Sequence, residues 1–238
     1  MTVLNYLREA NTIAVIFRLV IAMFFGGMIG LTRNRKGKAA GFRTYMLVCM
    51  GAALAMALGQ YLYSYTSFLQ TVLATEIMRS DVTRLGAQVI NGVGFLGAGT
   101  ILVTRTKQVQ GVTTAAGLWA SACMGLAIGA GFYECVAVGF ILMLVSFLTL
   151  NTLENYIIEH SRNMNCYIQF DKFSNVQAII QHLEENGIGI YDVDIENDVN
   201  KPDRIHAVFY LSIKNKYPHS NVISELTKLD CVLLVEEI

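Results

Sequence analysis

The chain has 238 residues, of which 54% are hydrophobic and only 15% are charged. Soluble domains average about 45–50% apolar and about 25% charged residues, so this composition excludes an ordinary soluble domain. The formal net charge of zero conceals a division, because residues 1–151 hold 11 basic and 4 acidic side chains whereas residues 152–238 hold 7 basic and 14 acidic ones.

Charge-free apolar stretches dominate the first part of the chain. Residues 44–75, 85–104 and 108–133 contain no charged side chain, and about 18 such residues are enough to cross the ~30 Å hydrocarbon core as a helix. The pattern predicts an α-helical polytopic membrane bundle over residues 1–152. We expect five spans, at residues 13–31, 42–63, 85–103, 112–130 and 133–150.

Basic side chains concentrate in two of the expected loops. The loop after the first span contains Arg33, Arg35, Lys36 and Lys38, and the loop after the third contains Arg105 and Lys107. Because Lys and Arg favour cytoplasmic loops, we expect the N-terminus outside and the C-terminus inside. Between spans two and three, residues 64–83 repeat apolar side chains at helical spacing, which predicts a short helix on the outer membrane surface or against the bundle.

Glycines recur along the third span and at one end of the first. The run at 84–99 contains a formal GxGxxG, but its apolar flanks and the absence of an acidic residue about 20 positions on argue against a dinucleotide site. Small residues let membrane helices approach closely. We therefore interpret these glycines as packing positions, with a broken segment lining a cavity as the alternative. They are Gly26, Gly30, Gly92, Gly94, Gly97 and Gly99.

Polar residues at membrane depth are costly and are expected to face the bundle interior. Arg18 has two interpretations: it reaches the outer interface, or it pairs with Asp81. Asp81 also suits the N-cap of the third helix, with Arg84 in the first turn, and we favour capping. The other polar residues in the spans are Gln88, Asn91, Thr113, Thr114 and Ser121.

After a linker at 153–164, the sequence changes to alternating short strands and helices. We expect strands at 166–170, 190–196, 206–213 and 232–236, with helices at 175–185 and 221–229. This β-α-β-β-α-β order is the ferredoxin-like pattern and predicts a small α+β domain at 165–238.

Four carboxylates alternate with apolar residues along the second of these strands. A period of two places Asp192, Asp194, Glu196 and Asp198 on one face, where they form a Mg²⁺ or Ca²⁺ site or, as we favour, a solvated surface or partner face. The five cysteines form no CxxC pair, and no catalytic pattern is present. We expect no disulfide, no metal or other cofactor, no nucleic-acid binding and no enzymatic activity.

Four motifs resemble the MgtC/SapB family of bacterial inner-membrane proteins. They are GMIG at 27–30, GFRT at 41–44 with Arg43, RLGAQVINGVGFLGAG at 84–99 and GVTTAAGLW at 111–119. The chain departs from the family at Thr32, where an acidic residue usually precedes the arginine. The resemblance implies a multi-pass protein of the cell inner membrane, an ACT-like C-terminal domain and a link to magnesium limitation and intracellular survival or virulence.

Two functions follow from these observations. The resemblance implies a regulator that binds a membrane protein such as the F-type ATP synthase, and glycine-faced helices also suit self-association. The alternative is a transporter or channel for Mg²⁺ or another cation. No acidic residue lies in the interior of any expected span, which disfavours transport because hard cations prefer oxygen ligands that include carboxylates.

Overall fold

The computed structural model describes residues 11–73, 81–104, 108–159, 161–197, 205–213 and 218–238. The helices as far as Leu150 form one compact unit, and residues Asn151–Ile238 belong to a second. The predicted fold class is confirmed: the chain is mostly helical in its first part and carries a small antiparallel sheet in its second.

Five helices of the first unit lie within the described residues. They are α1 (Thr12–Arg35), α2 (Phe42–Leu73), α3 (Val82–Ala98), α4 (Val112–Ala130) and α5 (Tyr133–Val145), which continues into a π-helical turn at Ser146–Leu150. Asn11 begins α1 by accepting a 2.7 Å hydrogen bond from the amide of Ala14, the usual role of an N-cap side chain.

Within the described residues, four helices are long and apolar enough to cross a membrane: Thr12–Arg35, Phe42–Leu73, Val112–Ala130 and Tyr133–Leu150. Their arrangement inverts the pattern of a soluble core. Alanine and glycine are common in the interior, whereas many large apolar side chains, such as Phe24, Leu54 and Ile141, are more than half exposed. Exposed apolar surface on this scale indicates contact with lipid, so the chain is a membrane protein.

Two boundaries in this unit were predicted wrongly. The third helix ends at Ala98, and Leu102–Val103 (β1) pairs instead with Val109–Gln110 (β2) in a short antiparallel hairpin. The second helix continues without a break to Leu73, so the first part of the 64–83 segment is not a separate surface helix. Apolar side chains continue past the tyrosines at 61–65, and the intervening sequence holds neither proline nor glycine to stop the helix.

The second unit opens with a helix, α6 (Asn151–Glu159), where a linker was expected. Its other elements are β3 (Asn163–Phe170), a 3₁₀ turn (Phe173–Asn175), α7 (Val176–Glu185), β4 (Gly189–Asn197), β5 (Ile205–Ser212), α8 (His219–Thr227) and β6 (Val232–Glu237). From β3 onward the predicted β-α-β-β-α-β order is confirmed.

The four strands lie in the order β4-β5-β3-β6, and every neighbouring pair is antiparallel. Ile168 and Phe209 from the sheet pack with Ile179, Leu183 and Leu226 from the two helices. One histidine of this unit, in the first turn of α8, is also buried. His219 places Nδ1 2.5 Å from a carboxylate oxygen of Glu237 and Nε2 3.0 Å from the carbonyl oxygen of Ser161. The ACT-like assignment stays a prediction.

Candidate functional site

Glycines bring α1 and α4 into backbone contact with α2. A Cβ atom added to Gly26 would lie 2.7 Å from the carbonyl oxygen of Tyr45, and one added to Gly129 would lie 2.5 Å from that of Ala53. Gly30 and Gly125 are equally confined. These positions accept no side chain without separating the helices, so the packing role predicted for Gly26 and Gly30 agrees with their surroundings.

A buried arginine joins α1 to three other helices of this unit. The side chain of Arg18 is fully buried, and its Nη1 atom donates 2.8 Å hydrogen bonds to Oε1 of Gln60 and to the carbonyl oxygen of Gly129. Its Nε atom lies 3.3 Å from the hydroxyl of Tyr133. This burial disagrees with the interpretation in which Arg18 reaches the outer interface. The sequence pattern did not identify Gln60 as a hydrogen-bond partner of Arg18.

A second buried arginine, Arg33, lies near the other end of α1. It is 4% exposed, and its Nη2 atom donates a 2.8 Å hydrogen bond to Oγ1 of Thr114. Its guanidinium carbon lies 5.0 Å from the ring centroid of Phe147, and its Nε atom is buried without a hydrogen-bond partner in the described structure. The hydroxyl of Tyr45 lies 3.2 Å from the carbonyl oxygen of Thr114.

From the sequence we expected Arg33 to be a charged residue of the loop after the first span, so its burial was not predicted. Its neighbour Lys36 donates a 2.8 Å hydrogen bond from Nζ to the carbonyl oxygen of Phe147. The basic end of α1 is thereby attached both to the start of α4 and to the π turn at the end of the last span.

The long glycine motif lies on α3, and much of its surface contacts no described part of the chain. Gln88, Asn91, Gly92 and Gly94 are exposed, and nothing described lies within 4 Å of a Cβ atom added to Gly92 or Gly94. These two glycines therefore contact no described helix of this chain, and their role in helix packing stays a prediction. The opposite side of α3 packs against α4, where Gly97 would place a Cβ atom 3.3 Å from the carbonyl oxygen of Ala115.

The remaining predicted residues are dispersed. Thr114 is buried beneath Arg33, Ser121 is buried with no hydrogen-bond partner for its hydroxyl in the described structure, and the neighbours of a Cβ atom on Gly99 belong to its own helix. The exposed members are Arg43, Asp81, Arg84 and Thr113.

The acidic strand does not form a metal centre in the part that the structure describes. Asp192 and Asp194 are exposed on β4, whereas the side chain of Glu196 and all of Asp198 lie outside the described residues. No group of three or more His, Cys, Asp or Glu side chains in the described ranges is arranged to hold a metal ion.

Comparison with known proteins gives consistent matches to one family. Residues 19–156 match the sequence model of the MgtC family. The chain is 41% identical over 134 residues to the "Putative magnesium transporter YhiD" of Escherichia coli K12, a match that covers 56% of this chain and 59% of that protein. It is 37% identical over 158 residues to "Protein SrpB" of Synechococcus elongatus, covering 63% and 79%.

A third relative extends into the C-terminal unit. An uncharacterized protein of Synechocystis is 29% identical over 228 residues, covering 89% of this chain and 90% of its own length. No solved structure matches this chain.

Proposed function

Because the chain belongs to the MgtC family, we propose that it is a membrane regulator that binds other membrane proteins through one face of α3. The observation that carries this proposal is the exposed polar face of that helix. Gln88, Asn91, Gly92 and Phe95 fall at i, i+3, i+4 and i+7, which aligns them along one side of α3. All four are exposed, Phe95 by 82%.

A bilayer makes such a face unfavourable unless another helix covers it. Hydrocarbon offers no hydrogen-bond partners to the amide side chains of Gln88 and Asn91. An unpaired polar group there costs about 3 kcal/mol. A second helix would supply partners for the amides, and Gly92 would permit close backbone approach. Interhelical hydrogen bonds of this kind contribute roughly 1–2 kcal/mol in model peptides.

The same proposal includes a topology. The 17 residues of α3 extend about 25 Å at 1.5 Å per residue, near the lower limit for a span. With α3 as a fifth span, the chain crosses the inner membrane five times. The basic end of α1 and the C-terminal unit then lie in the cytoplasm, and the N-terminus lies outside. A reporter fused after Ile238 should therefore be active only if it functions in the cytoplasm.

A photoreactive amino acid tests the proposed face. Benzoylphenylalanine placed at Asn91 should cross-link to a membrane protein in native membranes, and the F-type ATP synthase is the first partner to examine because the family resemblance implies it. Placed at Gly51 on α2, the same probe should give no protein cross-link. Gly51 is the matched control because it is also exposed and open within the chain. Cross-linking to lipid alone at both positions would contradict the proposal.

The second candidate is cation transport, which the name of the Escherichia coli relative favours. Purified protein in liposomes should be tested for Mg²⁺ flux under a gradient, with protein-free liposomes as the control. Saturable flux would overturn a purely regulatory role. The absence of flux, together with cross-linking at Asn91, would eliminate transport.

A further inference from the structure

A cavity opens at the N-terminal end of α4. Its volume is about 400 Å³, and the described residues that line it come from the turn after α1, from the β1–β2 hairpin and from the first turn of α4. Lys38 is the charged residue among them, and none of them is acidic. Cavities of about 300–1,000 Å³ hold small ligands.

The first turn of α4 forms part of the cavity wall. The first N–H groups of any α-helix lack partners within the helix and carry partial positive charge. In α4 the N-cap is Gly111, with φ of 95° and no side-chain cap, so no side chain of its own neutralises these donors. A Cβ atom at Gly111 would collide with the carbonyl oxygen of Thr100, which fixes glycine at this position on two grounds.

A buried cation, Arg33, contacts one residue of the cavity wall but does not itself line the cavity. Thr114 lines the cavity and accepts the 2.8 Å hydrogen bond from Arg33. The Nε atom of Arg33 has no partner, and no carboxylate in the described part of the chain forms an ion pair with this guanidinium. A buried charge is costly unless it is compensated. Within the described residues, an uncompensated positive charge and a helix N-terminus, both of which favour an anion, therefore lie close together.

We infer that this cavity binds a phosphate-bearing anion, held by Lys38, the first turn of α4 and the hydroxyl of Thr113, with Arg33 supplying further positive charge from behind Thr114. Phosphate oxygens accept hydrogen bonds from helix N-termini and from ammonium groups. The phosphate belongs either to a small water-soluble molecule or to the headgroup of an anionic lipid. This site is independent of the face of α3 and does not rest on the proposed function.

Two binding measurements on the full chain distinguish these sources. In the first, radiolabelled inorganic phosphate is titrated onto protein in phosphatidylcholine nanodiscs at constant ionic strength, with unlabelled glycerol phosphate as competitor. In the second, phosphatidylglycerol is included in the nanodiscs, and the lipid that remains bound to the protein after extraction into detergent is quantified.

Three variants test which side chains bind the anion. Lys38→Gln should weaken binding by roughly tenfold or more, because a hydrogen bond to a charged group is lost, and Thr113→Val should weaken it less. Arg35→Gln is the control, since Arg35 is an exposed basic residue of the same segment that does not line the cavity.

Saturable phosphate binding that Lys38→Gln weakens and Arg35→Gln preserves would support a soluble ligand. Retention of phosphatidylglycerol with the same dependence, without phosphate binding, would support a lipid headgroup. The site is excluded if neither probe binds, or if Lys38→Gln and Arg35→Gln have equal effects.

Discussion

Alanine at Gly125 is expected to destabilise the helical unit although alanine is the better helix former. The added Cβ atom would overlap the carbonyl oxygen of Cys49 and lie 2.9 Å from the Cβ atom of Ala52. Because a backbone carbonyl cannot rotate away, α2 and α4 must separate. Overpacking of this kind costs about 1–3 kcal/mol, and the gain in helix propensity offsets about 1 kcal/mol of it.

Gly51→Ala isolates the propensity term. Gly51 lies in α2, and nothing in the described structure is within 4 Å of its added Cβ atom. This variant should gain about 1 kcal/mol, so the two alanine variants should differ by the overpacking cost alone, about 1–3 kcal/mol in the free energy of unfolding. Because both variants are compared with the same wild-type chain, the stability of that chain cancels from the difference between them.

The single tryptophan makes the measurement specific to this unit. Trp119 lies in α4, so its fluorescence during unfolding in micelles of increasing dodecyl sulfate content reports on the helices and not on the C-terminal sheet. Equal unfolding midpoints for Gly125→Ala and Gly51→Ala would refute the inference that α2 and α4 are in backbone contact.

Three further predictions concern buried groups. Arg18→Lys should destabilise the helical unit by about 1–3 kcal/mol in the same fluorescence assay, because an ammonium group cannot reproduce the planar fork that reaches Gln60 and a backbone carbonyl; an unchanged midpoint would show that only the charge matters. Burial, and then the nearby charge of Glu237, raises the pKa of the Cys166 thiol to about 12 from the usual 9.0. Maleimide at neutral pH should therefore spare Cys166 until the domain unfolds, and its contribution to stability should be lost as pH rises from about 9 to 12; rapid labelling of the folded domain would contradict this. Leu183→Ala should cost the C-terminal unit about 2–5 kcal/mol by creating a cavity, measured by circular dichroism in urea, and a loss below 1 kcal/mol would show that the core of this unit is loosely packed.

Periodicity and charge predicted the membrane helices well because lipid imposes a simple requirement on length and polarity. The fourth span matches its expected bounds at Val112–Ala130. Helix ends were predicted less well. The first helix extends to Arg35 because basic side chains at a helix C-terminus are compatible with helical backbone, so the charge marked the membrane edge and not the end of the helix.

The candidate site was predicted only in part. Recurring glycines indicated close packing, but they occur both where α3 contacts no described residue, at Gly92 and Gly94, and where α1 packs against α2, at Gly26 and Gly30. A single sequence does not distinguish a contact within the chain from one made with another protein. Arg33 was missed for a related reason, since a basic residue at the end of a span is ordinarily a solvated loop charge, and its contacts with Thr114 and Phe147 are made by residues distant in the sequence.

The π turn at Ser146–Leu150 gives the chain a tolerance to changes in length. Hydrogen bonds in a π turn join residues five apart, whereas those of an α-helix join residues four apart, so deleting one residue at this point would restore a continuous α-helix. Because the π turn accommodates its extra residue locally, the deletion would leave the later residues at nearly the same rotational position about the helix axis. Its cost falls on Phe147, whose ring lies near the guanidinium of Arg33 and whose carbonyl oxygen accepts the hydrogen bond from Lys36.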